Sequence, residues 1–417
     1  MNRPPLWAIA RSTLAALAFA GVLAGCAPAP TREVARAPEP IICPPVEALV
    51  CPPPAVAPIP ALPPPPAEYR GRLQPASWTD LPGWGRESLA PSLTAFLQSC
   101  QVLGQQDAWK GVCAGAQTLS NAPERDIAAF FELNFDPHQV LNADDSASGM
   151  VTGYYEPLLH GSRVRSERYR YPIYGVPQDL LVIDLASVYP ELKHKRLRGR
   201  IEGNRVVPYA ARADIDKDTG AAKGSEIVWV DDAIEVFFLH IQGSGQVELE
   251  NGERVRVGYA DQNGHPFRSL GRLLIERREI APERASMQGI KDWARRNPRK
   301  VQDFLNANPS YVFFRELPHD LAGPIGALGV PLTAERSIAV DPRVVPLGVP
   351  VYLATTYPNT SEPLNRLTVA QDTGGAIAGA VRVDFFWGFG DAAGNQAGKM
   401  RQAGRIWVLL PKGYAPP

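Results

Sequence analysis

Residues 367–407 read LTVAQDTGGAIAGAVRVDFFWGFGDAAGNQAGKMRQAGRIW, the most informative run of the chain. It predicts two strands joined by a glycine-rich loop, each strand carrying one aspartate. Leu367, Val369 and Gln371 alternate ahead of Asp372. Thr373-Gly374-Gly375 then turns the chain, because glycine reaches the positive-φ conformations that a tight loop needs. In the second strand, residues 381–387, Val381, Val383, Phe385 and Trp387 share one face. Arg382, Asp384 and Phe386 share the other, by the two-residue period of a strand. A carboxylate flanked by Val383, Phe385 and Phe386 loses hydration, which raises its pKa toward the range of a general acid. Asp341 sits in a similar apolar setting upstream, in SIAVDPRVVPLGVPVYL.

Aspartates beside glycine and proline are ordinarily turn formers. Three in this context, two of them inside apolar strand patterns, point instead to chemistry. Asp372-Thr373-Gly374 also matches the DTG of aspartic proteases. Those enzymes share a proton between two such loops. This chain has one, so a protease would need a dimer to complete its site.

At 417 residues the chain is long enough for two domains with sizeable cores. Its 43 basic and 43 acidic residues cancel, so nothing global argues for nucleic acid or for a strongly acidic partner, and no nucleic acid is expected. The first 25 residues read as an address. Arg3 and Arg11 precede a short apolar run from residue 14 to 22, which ends in Leu23-Ala24-Gly25-Cys26. That tetrapeptide resembles a bacterial lipobox, whose cysteine is acylated and becomes the new N-terminus. Ala27 follows where aspartate would retain a lipoprotein in the inner membrane, so the resemblance implies an outer-membrane anchor facing the periplasm. Much of the chain's 42 prolines falls in residues 26–68, a composition for an extended polyproline tether rather than a core. With Cys26 lipidated, Cys43, Cys51, Cys100 and Cys113 remain, an even number in an exported protein. Cys100 and Cys113, both near ordered structure, are the expected disulfide. No C-x-x-C pair or His/Cys cluster suggests zinc, and neither a metal nor a cofactor is expected.

Globular sequence begins near Tyr69. Leu89, Leu93, Phe96, Leu97, Cys100 and Leu103 fall at helical spacing, and a second helix after Pro123 buries Ile127, Phe130 and Phe131. Met150-Val-Thr152-Gly-Tyr154-Tyr155-Glu156-Pro157 predicts a strand whose two tyrosines face opposite ways. One can pack while the other meets a sugar, whose flat C–H face suits an aromatic ring beside Thr152 and Glu156. Residues 159–257 read as short strands and turns, with strong strands over 227–230 and 234–241. The basic run 193–200 is an ordinary solvated face, with contact to the carboxylates of a peptide-bearing polymer as the other reading. His240 reads as a structural histidine, while Gln242 beside Gly243 offers a sugar-binding amide with close backbone approach. Residues 258–264 read as a polar turn, and helices follow over 287–294 and 298–305.

Taken together, Thr152-Gly-Tyr-Tyr-Glu-Pro, His240-Ile-Gln-Gly-Ser-Gly and the aspartate motifs resemble the membrane-bound lytic murein transglycosylase A family. Those motifs are Ala339-Val-Asp341, Gln371-Asp372-Thr-Gly-Gly and Val383-Asp384-Phe-Phe-Trp-Gly, and the match runs from about Tyr69 to Leu410 in motif order. The resemblance implies a mainly β protein with flanking helices: a double-psi β-barrel main domain, a smaller inserted β-barrel domain, and a groove between them. The main domain would comprise 69–157 and 258–417, and the insert 158–257. The implied substrate is the glycan strand of peptidoglycan, cut between N-acetylmuramic acid and N-acetylglucosamine to leave a 1,6-anhydro end. Asp384 matches the family's acid/base, with Asp372 and Asp341 as partners; Thr152, Tyr154, Tyr155, Glu156, Gln242 and Gly243 are the candidate substrate contacts. A peptidoglycan-tethering lipoprotein without catalysis and a two-carboxylate glycoside hydrolase are the alternatives.

Overall fold

The computed structural model describes residues 71–192, 195–217 and 220–414. The signal segment, Cys26, the proline-rich tether with Cys43 and Cys51, and residues 193–194 of the basic run lie outside the described residues.

Six strands close into a barrel. Arg401–Pro411 pairs antiparallel with Pro350–Thr356 on one side and with Gly149–Glu156 on the other. Pro363–Asp372, Ser337–Ala339 and Arg382–Phe389 complete the circuit between them. The pairs 337–339 with 363–372 and 382–389 with 149–156 are parallel; the other four are antiparallel. Strand alternation fills the interior: Val151, Ile338, Val383 and Phe385 belong to one core and are at most 1% exposed. Burying each such side chain contributes about 1.5–3 kcal/mol. Helices Ala90–Leu103, Asp107–Gln117 and Glu124–Asn134 pack against this core through Phe96, Trp109 and Phe131, and a Cys100–Cys113 disulfide joins the first two.

A second, six-stranded sheet runs in the order 312–317, 254–262, 244–249, 158–162, 226–230, 171–174. A bridge from Gly175 to Phe314 links its last strand to its first. Leu159, Ile173, Val228, Val247, Val257 and Phe314 form its core. A separate three-stranded sheet, Leu181–Val182, Arg198–Glu202 and Arg205–Pro208, is fastened to it where Arg198 donates to Asp261 at 2.8 Å.

Three local expectations change. In place of the strand expected over residues 234–241, Ala233–Gln242 is a helix. Asp232 caps it by accepting from the Ile234 amide at 2.7 Å, and Gly243 at φ +78° ends it. Its run is mostly apolar because it is buried on two sides: Val236 and Leu239 join the second sheet's core, whereas Ile234, Phe237 and Phe238 join a helical one. The polar turn expected over 258–264 is mostly strand, since Arg254–Gln262 continues through it. The helix expected from residue 298 begins at Val301, after a turn.

Candidate active site

Strand register assembles the site. Ala339 stands opposite Asp372 on one side, across a parallel pair, and opposite Asp384 on the other, across an antiparallel pair. Asp384 in turn stands opposite Thr152, and Phe386 opposite Tyr154. Cross-strand neighbours project from the same face, so one outer face of the barrel carries Asp372, Ala339, Asp384 and Thr152 in a row. Neighbouring strands are roughly 4.8 Å apart, which places the two aspartate backbones about 10 Å from one another. Below this row Tyr154, Phe386, Ala339, Leu332 and Ile377 make a small apolar cluster.

The two carboxyls are held differently. Asp372 accepts from the amides of Ala327 and Thr373, each at 2.9 Å, and from the Tyr154 hydroxyl at 3.0 Å. Burial nevertheless pushes its pKa up to about 6, against those three donors, and the neighbouring charge of Asp384 adds to the rise. Asp384 accepts from the Thr152 hydroxyl at 2.6 Å. Burial raises its carboxyl too, while the Thr152 bond and the Arg382 guanidinium pull it back. Tyr154 is only 7% exposed, and burial together with both carboxylates lifts its phenol far above the usual range. It therefore stays protonated and donating.

Asp341 is held by other partners. It is 2% exposed, and burial works against its charge; bonds from the Arg343 guanidinium at 2.8 and 2.6 Å, the Gly379 amide at 2.8 Å and the Arg343 amide at 3.1 Å outweigh that. Its carboxyl is held below the usual range, and none of its hydrogen bonds reaches Asp372 or Asp384. This carboxylate ties the loop after Asp372 to the end of the strand Ser337–Ala339.

Of the expected substrate contacts, the structure brings Thr152 and Tyr154 to the aspartates. Tyr155 points the other way, 4% exposed, with its hydroxyl toward the Met287 sulfur at 3.6 Å. Glu156 is 1% exposed and pairs with Arg256 at 2.9 Å and with the Gln246 amide at 3.0 Å, a tie between the two sheets. Gln242 accepts from the Tyr155 amide at 3.0 Å, and Gly243 serves as the helix cap. These four residues hold the frame around the site. His240 is buried as a structural histidine, its Nδ1 2.9 Å from Arg212 and its ring stacked on Phe314. Among the described residues no group of three or more His, Cys, Asp or Glu side chains is placed to hold a metal ion. An open cavity of about 560 Å³, lined by Ile280, Arg284, Gln288, Asp292 and Arg296, contains none of Asp341, Asp372 and Asp384.

The sequence offered Ala339 only as the flank of the Asp341 motif and gave no sign of the Ala327 amide; both join the site through register and loop packing. Arg382 was legible, two residues from Asp384 on the same strand face.

Two family models match the chain: "3D domain" over residues 336–410, which holds all three aspartates, and "MltA specific insert domain" over 150–315, which holds Thr152 and Tyr154. Membrane-bound lytic murein transglycosylase A of Escherichia coli (strain K12) is 32% identical over 286 residues, 67% of this chain and 70% of that protein. The chain belongs to the membrane-bound lytic murein transglycosylase A family. Among solved structures of the family, MltA from Neisseria gonorrhoeae in its monoclinic form aligns with a TM-score of 0.72 and 41% identity, over 83% of this chain and 94% of that one. The Escherichia coli MltA structure with bound chitohexaose aligns with a TM-score of 0.60 and 25% identity, over 83% and 95%. The flanking-helix, mainly β architecture described above is that of the family.

Proposed function

We propose that this family member is a peptidoglycan lytic transglycosylase that uses Asp384 as its single acid/base. The observation that carries the assignment is the unequal treatment of the two carboxyls on one barrel face. Asp372 accepts three hydrogen bonds, all favouring its charged form, whereas Asp384 accepts one and keeps an oxygen for substrate. Protonated Asp384 donates to the oxygen of the β-1,4 bond between N-acetylmuramic acid and N-acetylglucosamine, and the C1–O bond breaks. The muramyl C6 hydroxyl attacks C1 and passes its proton to the Asp384 carboxylate, which leaves a 1,6-anhydro end and restores the acid. Ionised Asp372 stabilises the positive charge that develops at C1 and helps hold the proton on Asp384. A specific observation favours the reverse order, since burial lifts Asp372 to about 6; the paired aspartate variants discussed below separate the two.

The glycan complex of the Escherichia coli relative supports a sugar polymer as ligand. The six-strand barrel is read as the double-psi barrel of the main domain, and the second sheet, which also takes residues 258–262 and 312–317 from beyond the expected 158–257, as the inserted domain, with the glycan lying between them. Cys26 carries the acyl chains of an outer-membrane lipoprotein facing the periplasm, and residues 26–68 tether the body. Cys26→Ala should move the protein from the membrane to the soluble fraction with its intrinsic activity retained.

Mass spectrometry of digested sacculi tests the reaction, because anhydro and reducing muramyl ends differ by one water. Reducing ends would mean a two-carboxylate hydrolase, and intact glycan a tethering protein.

A further inference from the structure

Along the strand Pro363–Asp372 the pairing with Ser337–Ala339 loses step once. Ser337 stands opposite Val369 and Ile338 opposite Ala370, but Ala339 stands opposite Asp372. Gln371 is the extra residue of a β-bulge. Unbroken alternation would set Gln371 opposite Ala339 and turn Asp372 to the side of Ile338 and Ala370, both 0% exposed in the barrel core. The inserted residue advances Asp372 by one place, onto the face of Ala339 and Asp384.

Something must hold that bulge, because an inserted residue disrupts the ladder on either side. Gln371 is itself 0% exposed. Its Nε2 donates to the Ala95 carbonyl at 2.8 Å and to the Ser99 hydroxyl at 3.0 Å, both on the helix Ala90–Leu103. Its Oε1 accepts from the Ser337 hydroxyl at 2.5 Å, and its backbone carbonyl accepts from the Leu328 amide at 3.0 Å. Ser337 Oγ also accepts from the Thr333 amide at 2.7 Å. One buried amide thus fastens the bulge to the covering helix and to the neighbouring strand. Replacing it with an apolar group would leave two buried hydroxyls short of a partner, which penalises the bulged register specifically.

We propose that Gln371 is a positioning residue, whose buried amide pins the bulge that turns Asp372 toward Asp384. The effect on turnover rests on the catalytic reading above; the effect on Asp372 is measurable without substrate.

The test is Gln371→Met, which keeps side-chain length and removes the amide. Carbon-13 NMR of the aspartate carboxyls, with Asp372 assigned through Asp372→Asn, reads its titration in wild type and variant. Loss of the Ala327 and Tyr154 donors should raise the Asp372 midpoint by about one pH unit. On peptidoglycan, kcat should fall by about 100-fold with KM within about threefold, the signature of a misplaced group rather than lost binding. Ser337→Ala, which removes one bond of the set, should move both readouts in the same direction by less. A folded Gln371→Met with an unmoved Asp372 midpoint overturns the proposal, even if its melting temperature and turnover both drop. If the Met variant does not fold, Ser337→Ala decides, and an unmoved midpoint there overturns it equally. Should wild type release no anhydromuropeptides, the enzymatic reading fails while the midpoint comparison still tests the bulge.

Discussion

Thr152 donates a 2.6 Å hydrogen bond to Asp384 from the directly opposite position of a parallel strand pair. The pairing matters because both residues lie within regular strands, whose positions are set by the ladder and by packing beneath. A carboxyl fixed in this way keeps one oxygen on a known partner and presents the other in a constant direction. It differs from Asp372, which is wrapped by a loop amide, its own turn and a phenol.

Asp384→Asn is nearly isosteric, so the fold and glycan affinity should survive while the proton donor and acceptor is lost. General acid–base participation is worth about 10²–10⁴ in rate, and anhydromuropeptide release should fall by at least that range. Asp372→Asn should be impaired by a similar or smaller factor. Near-normal turnover in folded Asp384→Asn would end the single-acid mechanism; a dead Asp372→Asn beside an active Asp384→Asn would move the acid to the other strand.

Tyr154→Phe removes a donor that stabilises ionised Asp372. Its loss raises the Asp372 pKa above the present value of about 6, so the ionised form is reached only at higher pH. The acidic limb of the kcat/KM profile should therefore shift upward, with activity lost more at pH 6 than at pH 8. An unchanged limb would mean that Asp372 does not govern it.

Glu87 supplies a pH effect away from the site. Burial raises its pKa to about 7, only partly offset by the Leu367 amide and by Arg336 and Arg366. Because the folded value lies above the ordinary 4.5, the folded state binds the extra proton, and stability falls as pH rises from about 4.5 through 7. Relative to Glu87→Gln, the wild type should lose melting temperature across that window. Parallel melting curves from pH 4.5 to 8 would remove this assignment.

The Cys100–Cys113 disulfide closes a loop with a sequence separation of 13 between two helices of the barrel's cover. The double variant Cys100→Ala, Cys113→Ala should lose about 3 kcal/mol of stability, read by denaturant unfolding, since the open chain gains entropy on unfolding. Glycan cleavage at low temperature should persist, as neither residue touches the aspartates. A variant as stable as wild type would show that core packing alone holds these helices.

Short-range features are legible from residue order alone. A two-residue period placed Val383 and Phe385 inward and Arg382, Asp384 and Phe386 outward, because strand geometry leaves no other choice once one face is apolar. It also set Tyr154 and Tyr155 on opposite faces, for the same reason. It could not say that residues 234–241 form a helix, since a run buried on two sides has no polar face from which to read a period. Which of the conspicuous residues meet depends on how distant strands pair. Glu156 looked like a sugar ligand until its partner Arg256, 100 residues further on, came to lie against it. Asp372 and Asp384 share a face because Ala339 stands between their strands and Gln371 breaks the register beside it. Those relations depend on pairing between distant segments, and local propensity does not encode them.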